Sequence, residues 1–188
     1  MAELRLQTTG AGVIASSEFT LAGIEEVVKG KGSAWLDILK PDEEVKQWLE
    51  NIGIDELAVE DIFGHASDTV QRFHGHRFIV VRARDADNRL DTEPVAIILR
   101  GDLMITVRGT RIPALDVFSR RLKTADDDEI AIGVDFLLYE LLDSIADDWT
   151  PILSEYSSAT NFLSASRSFC NSNCLDDCAV ILPGSGSM

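Results

Sequence analysis

The chain has 188 residues, 32 of them acidic and 17 basic, for a net charge of −15. That length makes one domain, with at most an appendage, and buries a core without disulfide support. The charge repels nucleic acid and anionic lipid and attracts cations, divalent ones most, although composition alone favours an acidic surface that serves solubility. No run approaches the ~18 apolar residues of a membrane span. The N-terminus has neither the basic nor the apolar region of a secretory signal, so a cytoplasmic location is expected.

Residues 1–33 are weakly patterned. Val13, Ile14, Phe19 and Leu21 read as an early strand or hairpin, and Ile24 to Val28 as a short helix ended by Gly30 and Gly32. Ala34 to Leu39 (AWLDIL) has the length and apolarity of a buried strand. After Pro41, the acids Asp42, Glu43 and Glu44 suit a helix start. Val45, Trp48, Leu49 and Ile52 then recur at helical spacing until Gly53. Asp55 caps a second short helix through Phe63, stopped by Gly64. Ala58, Val59, Ile62 and Phe63 share one of its faces; Glu60 and Asp61 point the other way.

Val70 to Phe73 and Arg77 to Ala83 read as strands about a His74-Gly75 turn. Val95 to Leu99 and Leu103 to Val107 form a second hairpin tipped by Gly101-Asp102. Pro113 opens a helix with Leu115, Phe118 and Leu122 on one face, and an acidic loop from Asp126 to Glu129 follows. A long helix starts near Gly133, striped by Val134, Leu138, Leu141, Ile145, Trp149, Ile152 and Tyr156. Pro151 inside it predicts a bend. From Ser157 the stripe weakens into Ser, Ala and Asn, although Phe162 and Leu163 could extend the helix. The expected divisions are an α/β domain over 1–133, a long-helix start over 134–158 and a Ser-rich tail over 159–188. Mixed strands and helices followed by one long helix predict an α/β (α+β) fold, a layered sandwich with a mixed sheet.

Little in the chain suggests catalysis. Phosphate-binding glycine loops and nucleophile elbows are missing, and no nucleophile, base and orienter assemble in sequence, so the expectation is a protein that is not an enzyme. His74 and His76 flank a turn glycine and read as exposed turn residues; His65 follows a helix stop. Cys170, Cys174 and Cys178 are spaced by four near the C-terminus, but three thiols with no histidine nearby are an incomplete zinc set. Carboxylates are the stronger candidates. Glu60 and Asp61 are adjacent on a short helix, and Glu140, Asp143 and Asp147 lie three to four apart on the long one. Mg2+ takes oxygen ligands and keeps several waters, so two or three carboxylates from different elements would make a modest site. Stripes of this kind are more often solvated helix faces.

Read together, the segments resemble a known family. Trp35-Leu36-Asp37-Ile38 with Pro41-Asp42-Glu43-Glu44 resembles the opening of the soluble domain of CorA-type magnesium transporters. Leu57-Ala58-Val59-Glu60-Asp61-Ile62 resembles the family's "L-A-L-E-D" segment. Val70-Gln71-Arg72-Phe73 with Arg77 to Arg82, and Glu93 to Leu99 with Leu103 to Arg108, are similar to its two hairpins. Phe136 to Asp143 and Asp147 to Leu153 are similar to the start of its stalk helix. The similarity runs in order over about residues 34–157.

The resemblance implies a homopentameric channel for divalent cations, mainly Mg2+, with Co2+ and Zn2+ as the other candidates. It also implies an α/β/α cytoplasmic domain feeding a stalk helix, and regulatory Mg2+ held between subunits. The family's metal-binding carboxylates fall on Glu60, Asp61 and Asp143; Asp147 joins them by helical spacing. The chain as given contains neither membrane helices nor the family's Gly-Met-Asn signature, and Ser67-Asp68-Thr69 stands where Arg-Pro-Lys is common. The expected function is thus the cytoplasmic cation-sensing domain of a magnesium transporter, cut off before its pore, touching the membrane only through segments it lacks. The alternatives are a stand-alone soluble module derived from one, and a domain of the related ZntB-like zinc transporters.

Overall fold

The computed structural model describes residues 1–8, 12–14, 19–29, 32–64, 68–88, 90–124 and 133–173. The chain divides into two compact units, Met1–Asp148 and Trp149–Met188. In the first, β1 (Glu3–Thr8), β2 (Gly12–Ile14) and a 3-10 turn at Leu21–Gly23 lead to α1 (Ile24–Val28), β3 (Ala34–Leu39), α2 (Glu43–Asn51) and α3 (Glu56–Phe63). The strands β4 (Thr69–Phe73), β5 (His76–Arg84), β6 (Thr92–Arg100) and β7 (Leu103–Arg108) follow, then α4 (Pro113–Thr124) and α5 (Val134–Asn173), whose residues from Trp149 on belong to the second unit.

The seven strands form one mixed sheet in the order β2-β1-β3-β7-β6-β5-β4. After β3 the chain crosses through α2 and α3 to the far edge, then meanders back until β7 pairs parallel with β3. All other neighbours are antiparallel. The weakly patterned N-terminal segment thus supplies a full strand, β1, ahead of the short β2.

The local signals act as expected. Asp42 caps α2 by accepting from the Val45 N–H at 3.3 Å, and also accepts from the Ala2 N–H at 2.9 Å. Asp55 caps α3 through the Leu57 N–H. At the end of α3 a Cβ on Gly64 would lie 2.9 Å from the Glu60 carbonyl oxygen, so only glycine fits without a shift. Gly101, first in the two-residue β6–β7 turn, has φ 57°, which a type II′ hairpin turn needs.

Alternation along β3 separates two layers. Leu36 and Ile38 join Val45, Leu49, Ala58 and Val59 in the core beneath α2 and α3. Trp35 and Asp37 face the other way, where Trp35 meets Phe118 of α4 edge-on at 4.6 Å. This second face contains a buried polar network. Arg108 donates through Nε and Nη2 to both Asp37 oxygens, at 3.1 and 2.7 Å. Thr106 donates to Asp37 and accepts from the Trp35 indole, both at 2.9 Å. Arg5 bridges Asp37 to Asp116 of α4. The Asp37 and Arg108 side chains are 2% and 1% exposed.

The stripe expected on α5 is partly realised. Leu141, Ile145 and Ile152 are buried, but so is Leu137, while Tyr156 is exposed. Helical backbone runs past Pro151 and through the Ser-rich stretch to Asn173. Cys174, Cys178, the acidic run at 126–129 and His65 lie outside the described residues.

Candidate metal centre

Glu60 and Asp61 sit on the last turns of α3, where Ala58 and Val59 anchor the helix to the core and turn the two acids outward. Glu60 is exposed and Asp61 half-buried. Asp61 borders a groove of about 530 Å3 whose wall includes Arg82, Glu93 and Gly109. This places one acidic pair in the α2–α3 layer.

Asp143 and Asp147 sit on α5, held by a residue the sequence reading did not single out. Arg121, near the end of α4, donates to Asp143 at 3.0 Å and to Asp147 at 2.9 Å. Glu140 lies 4.0 Å from the same guanidinium. Hydrogen bonds donated to Asp147 and then to Asp143 raise the Arg121 pKa further, so it stays charged at any physiological pH. The three carboxylates follow an i, i+3, i+7 path and present one acidic edge to one arginine, leaving two negative charges in excess. Nothing in the sequence distinguishes Arg121 from its neighbours Arg120 and Lys123. Only the packing of α4 against α5 selects it. A second clamp joins Arg84 of β5 to Asp148 by paired bonds of 2.9 and 2.8 Å.

Since α4 lies on the Trp35 side of the sheet, the structure puts Asp143 and Asp147 in one layer and Glu60 and Asp61 in the other. Among the described residues, no three His, Cys, Asp or Glu side chains converge to hold a metal ion. The arrangement within one chain is therefore two separate acidic pairs.

His76 departs from the expectation of an exposed turn residue. It is 5% exposed, because it is the first residue of β5 and its ring stacks on Phe73 at 5.1 Å. Its Nε2 accepts from the Asp55 N–H at 3.5 Å. Burial lowers its pKa, so the ring is neutral at pH 7. His74 is the exposed member of the pair.

Two exposed features of α5 complete the picture. In the first unit, Tyr139 and Leu142 are exposed, Tyr139 by 63%. In the second, Leu153 and Tyr156 are exposed by 63% and 52%. Among the described residues no helix is long and apolar enough to cross a membrane.

Comparison with known proteins agrees with this architecture. The family model described as CorA-like Mg2+ transporter protein matches residues 30–165. The putative metal ion transporter YfjQ of Bacillus subtilis is 25% identical over 135 residues, covering 71% of this chain and 42% of the relative. The cobalt/magnesium transport protein CorA of Thermotoga maritima is 26% identical over 147 residues, covering 73% and 42%. The chain thus spans well under half the length of these relatives. The solved soluble domain of CorA from Methanocaldococcus jannaschii superposes with a TM-score of 0.64 at 18% identity, over 87% of this chain and 64% of that one. The ZntB cytoplasmic domain from Vibrio parahaemolyticus gives 0.58 at 13% identity, over 69% and 54%. With the family model matched over most of its length and the fold shared, the chain belongs to the CorA-like Mg2+ transporter family.

Proposed function

We propose that this domain is the cytoplasmic, divalent-cation-sensing part of a CorA-like transporter, with Mg2+ as its main ligand and Co2+ and Zn2+ as competitors. In this reading it assembles with copies of itself, the family resemblance implying a homopentamer. It performs no catalysis.

One observation carries the reading: the two acidic pairs occupy opposite layers of a single subunit. Glu60 and Asp61 of one copy can then meet Asp143 and Asp147 of the next, and a shared cation couples occupancy to assembly. Tyr139 and Leu142, on the part of α5 that belongs to the first unit, are exposed. The apolar residues exposed there fit association between copies. Arg121 is then a tethered counter-charge for the α5 acids, which a cation would have to displace or share.

The test is a melting curve in millimolar Mg2+ against NaCl of equal ionic strength, at several protein concentrations. A ligand bound only by the folded state stabilises by RT ln(1 + [L]/Kd), about 2.7 kcal/mol at a hundredfold excess over Kd. The expected result is a shift that grows with protein concentration, shrinks in Asp61→Asn and grows in Arg121→Gln. An equal shift in wild type and Asp61→Asn would remove the assigned site. A strict monomer by light scattering in Mg2+ would remove the shared one.

A further inference from the structure

The turn of the β4–β5 hairpin carries a charge arrangement that the cation reading does not use. Arg72 and Arg77 are register partners, so both side chains leave the same face of the hairpin with Cβ atoms about 5 Å apart. Like charges placed directly opposite destabilise a strand pair. Their compensation is incomplete. Arg77 reaches Asp135 at 3.6 Å, between side chains 55% and 77% exposed, a kind of pair that contributes little. The Arg72 side chain has no hydrogen bond or ion pair among the described residues, in a chain of net charge −15.

Both arginines line a cleft of about 420 Å3 shared with His74, Gly75, Gly101 and Asp135. Its size is within the range of small-molecule sites. A Cβ on Gly75 or Gly101 would meet nothing within 4 Å, so the turn backbone stands open there. Two guanidinium groups against one carboxylate make this cleft locally positive on an acidic protein.

We propose that the cleft binds a phosphate-bearing anion, gripped between Arg72 and Arg77 with His74 at its mouth. Guanidinium forks match phosphate oxygens in pairs, and an anion between them turns cross-strand repulsion into a shared counter-charge. This goes beyond cation sensing and does not rest on it.

The whole chain would be titrated in EDTA with orthophosphate, tripolyphosphate or ATP at constant ionic strength, reading heat by calorimetry. Saturable binding is expected, weakened at least ~10-fold in Arg72→Gln and in Arg77→Gln and unchanged in Arg82→Gln, outside the cleft. Without ligand, Arg72→Gln should melt no lower than wild type, since it removes a repulsion. ATP binding tighter than tripolyphosphate would identify a nucleotide, and equal affinities the phosphates alone; either supports the site. Wild-type affinity in both arginine variants, or no heat from any of the three up to ~10 mM, would overturn it.

Discussion

The buried network around Asp37 permits a quantitative prediction. In Asp37→Ala, the Arg108 guanidinium, 1% exposed, loses the carboxylate that takes two of its hydrogen bonds. It keeps only the Thr110 carbonyl, at 3.0 Å. Thr106 loses its acceptor, while Arg5 retains Asp116. An unpaired buried charge of this kind costs about 3–5 kcal/mol, against a typical total stability of ~5–15 kcal/mol. At ~2–4 °C per kcal/mol for a chain of this size, the melting temperature should fall by about 6–20 °C. The double variant Asp37→Leu/Arg108→Leu removes both charges and should be less damaged than Asp37→Ala alone, because replacing a buried pair with apolar groups is often neutral. Urea unfolding followed by circular dichroism measures all three. A loss below ~1 kcal/mol in Asp37→Ala, or a double variant that loses the sum of the single changes, would refute the account of this network as a desolvated pair.

Gly64→Ala pushes a Cβ against the Glu60 carbonyl oxygen at 2.9 Å and should cost about 1–3 kcal/mol. Gly109→Ala meets nothing within 4 Å and should stay within ~0.5 kcal/mol of wild type; urea midpoints compare the two. His76 predicts a pH dependence. Its folded pKa is depressed by burial below the ordinary 6.5, so the unfolded chain binds more protons in the window between the two values. Stability should therefore fall as pH drops from about 6.5 through the folded pKa, and His76→Phe should lose that step in melting curves taken across the window.

Strands β3 to β7 were legible because apolar residues dominate or alternate along them between turn signals: AWLDIL and the two hairpins around His74-Gly75 and Gly101-Asp102 fold where their patterns and turn residues put them. β1 is hard to read because only two apolar residues, Leu4 and Leu6, alternate with Glu3, Arg5 and Gln7 in a short, mostly polar segment. The polarity has a structural cause. Arg5 and Gln7 point at the α4 side, where Arg5 joins Asp37 and Gln7 donates to the Ser119 carbonyl. The same face explains Asp37, which looks out of place in an apolar strand until β7 supplies Thr106 and Arg108 at matching register. His76 was misread because the residue after a tight turn is also the first of β5, and its parity places it beside Phe78 and Val80 in the core.

The candidate carboxylates were legible as residue types and resemblance, not as geometry. Spacing put Glu140, Asp143 and Asp147 on one edge of α5, and it could not reveal that an arginine from another helix already holds that edge. That arginine changes how the acids behave. Two half-exposed ion pairs on one guanidinium contribute little to folding, so they neither lock α5 in place nor prevent a divalent ion from competing for the same oxygens. An acidic edge only partly neutralised by a neighbour of modest value is well suited to a reversible ligand. A fully buried pair such as Asp37–Arg108 is not, because breaking it leaves a desolvated charge behind. These two arginine–aspartate systems thus divide by burial: one ties β3 to β7 inside the sheet, and the other leaves carboxylates on α5 within reach of solvent.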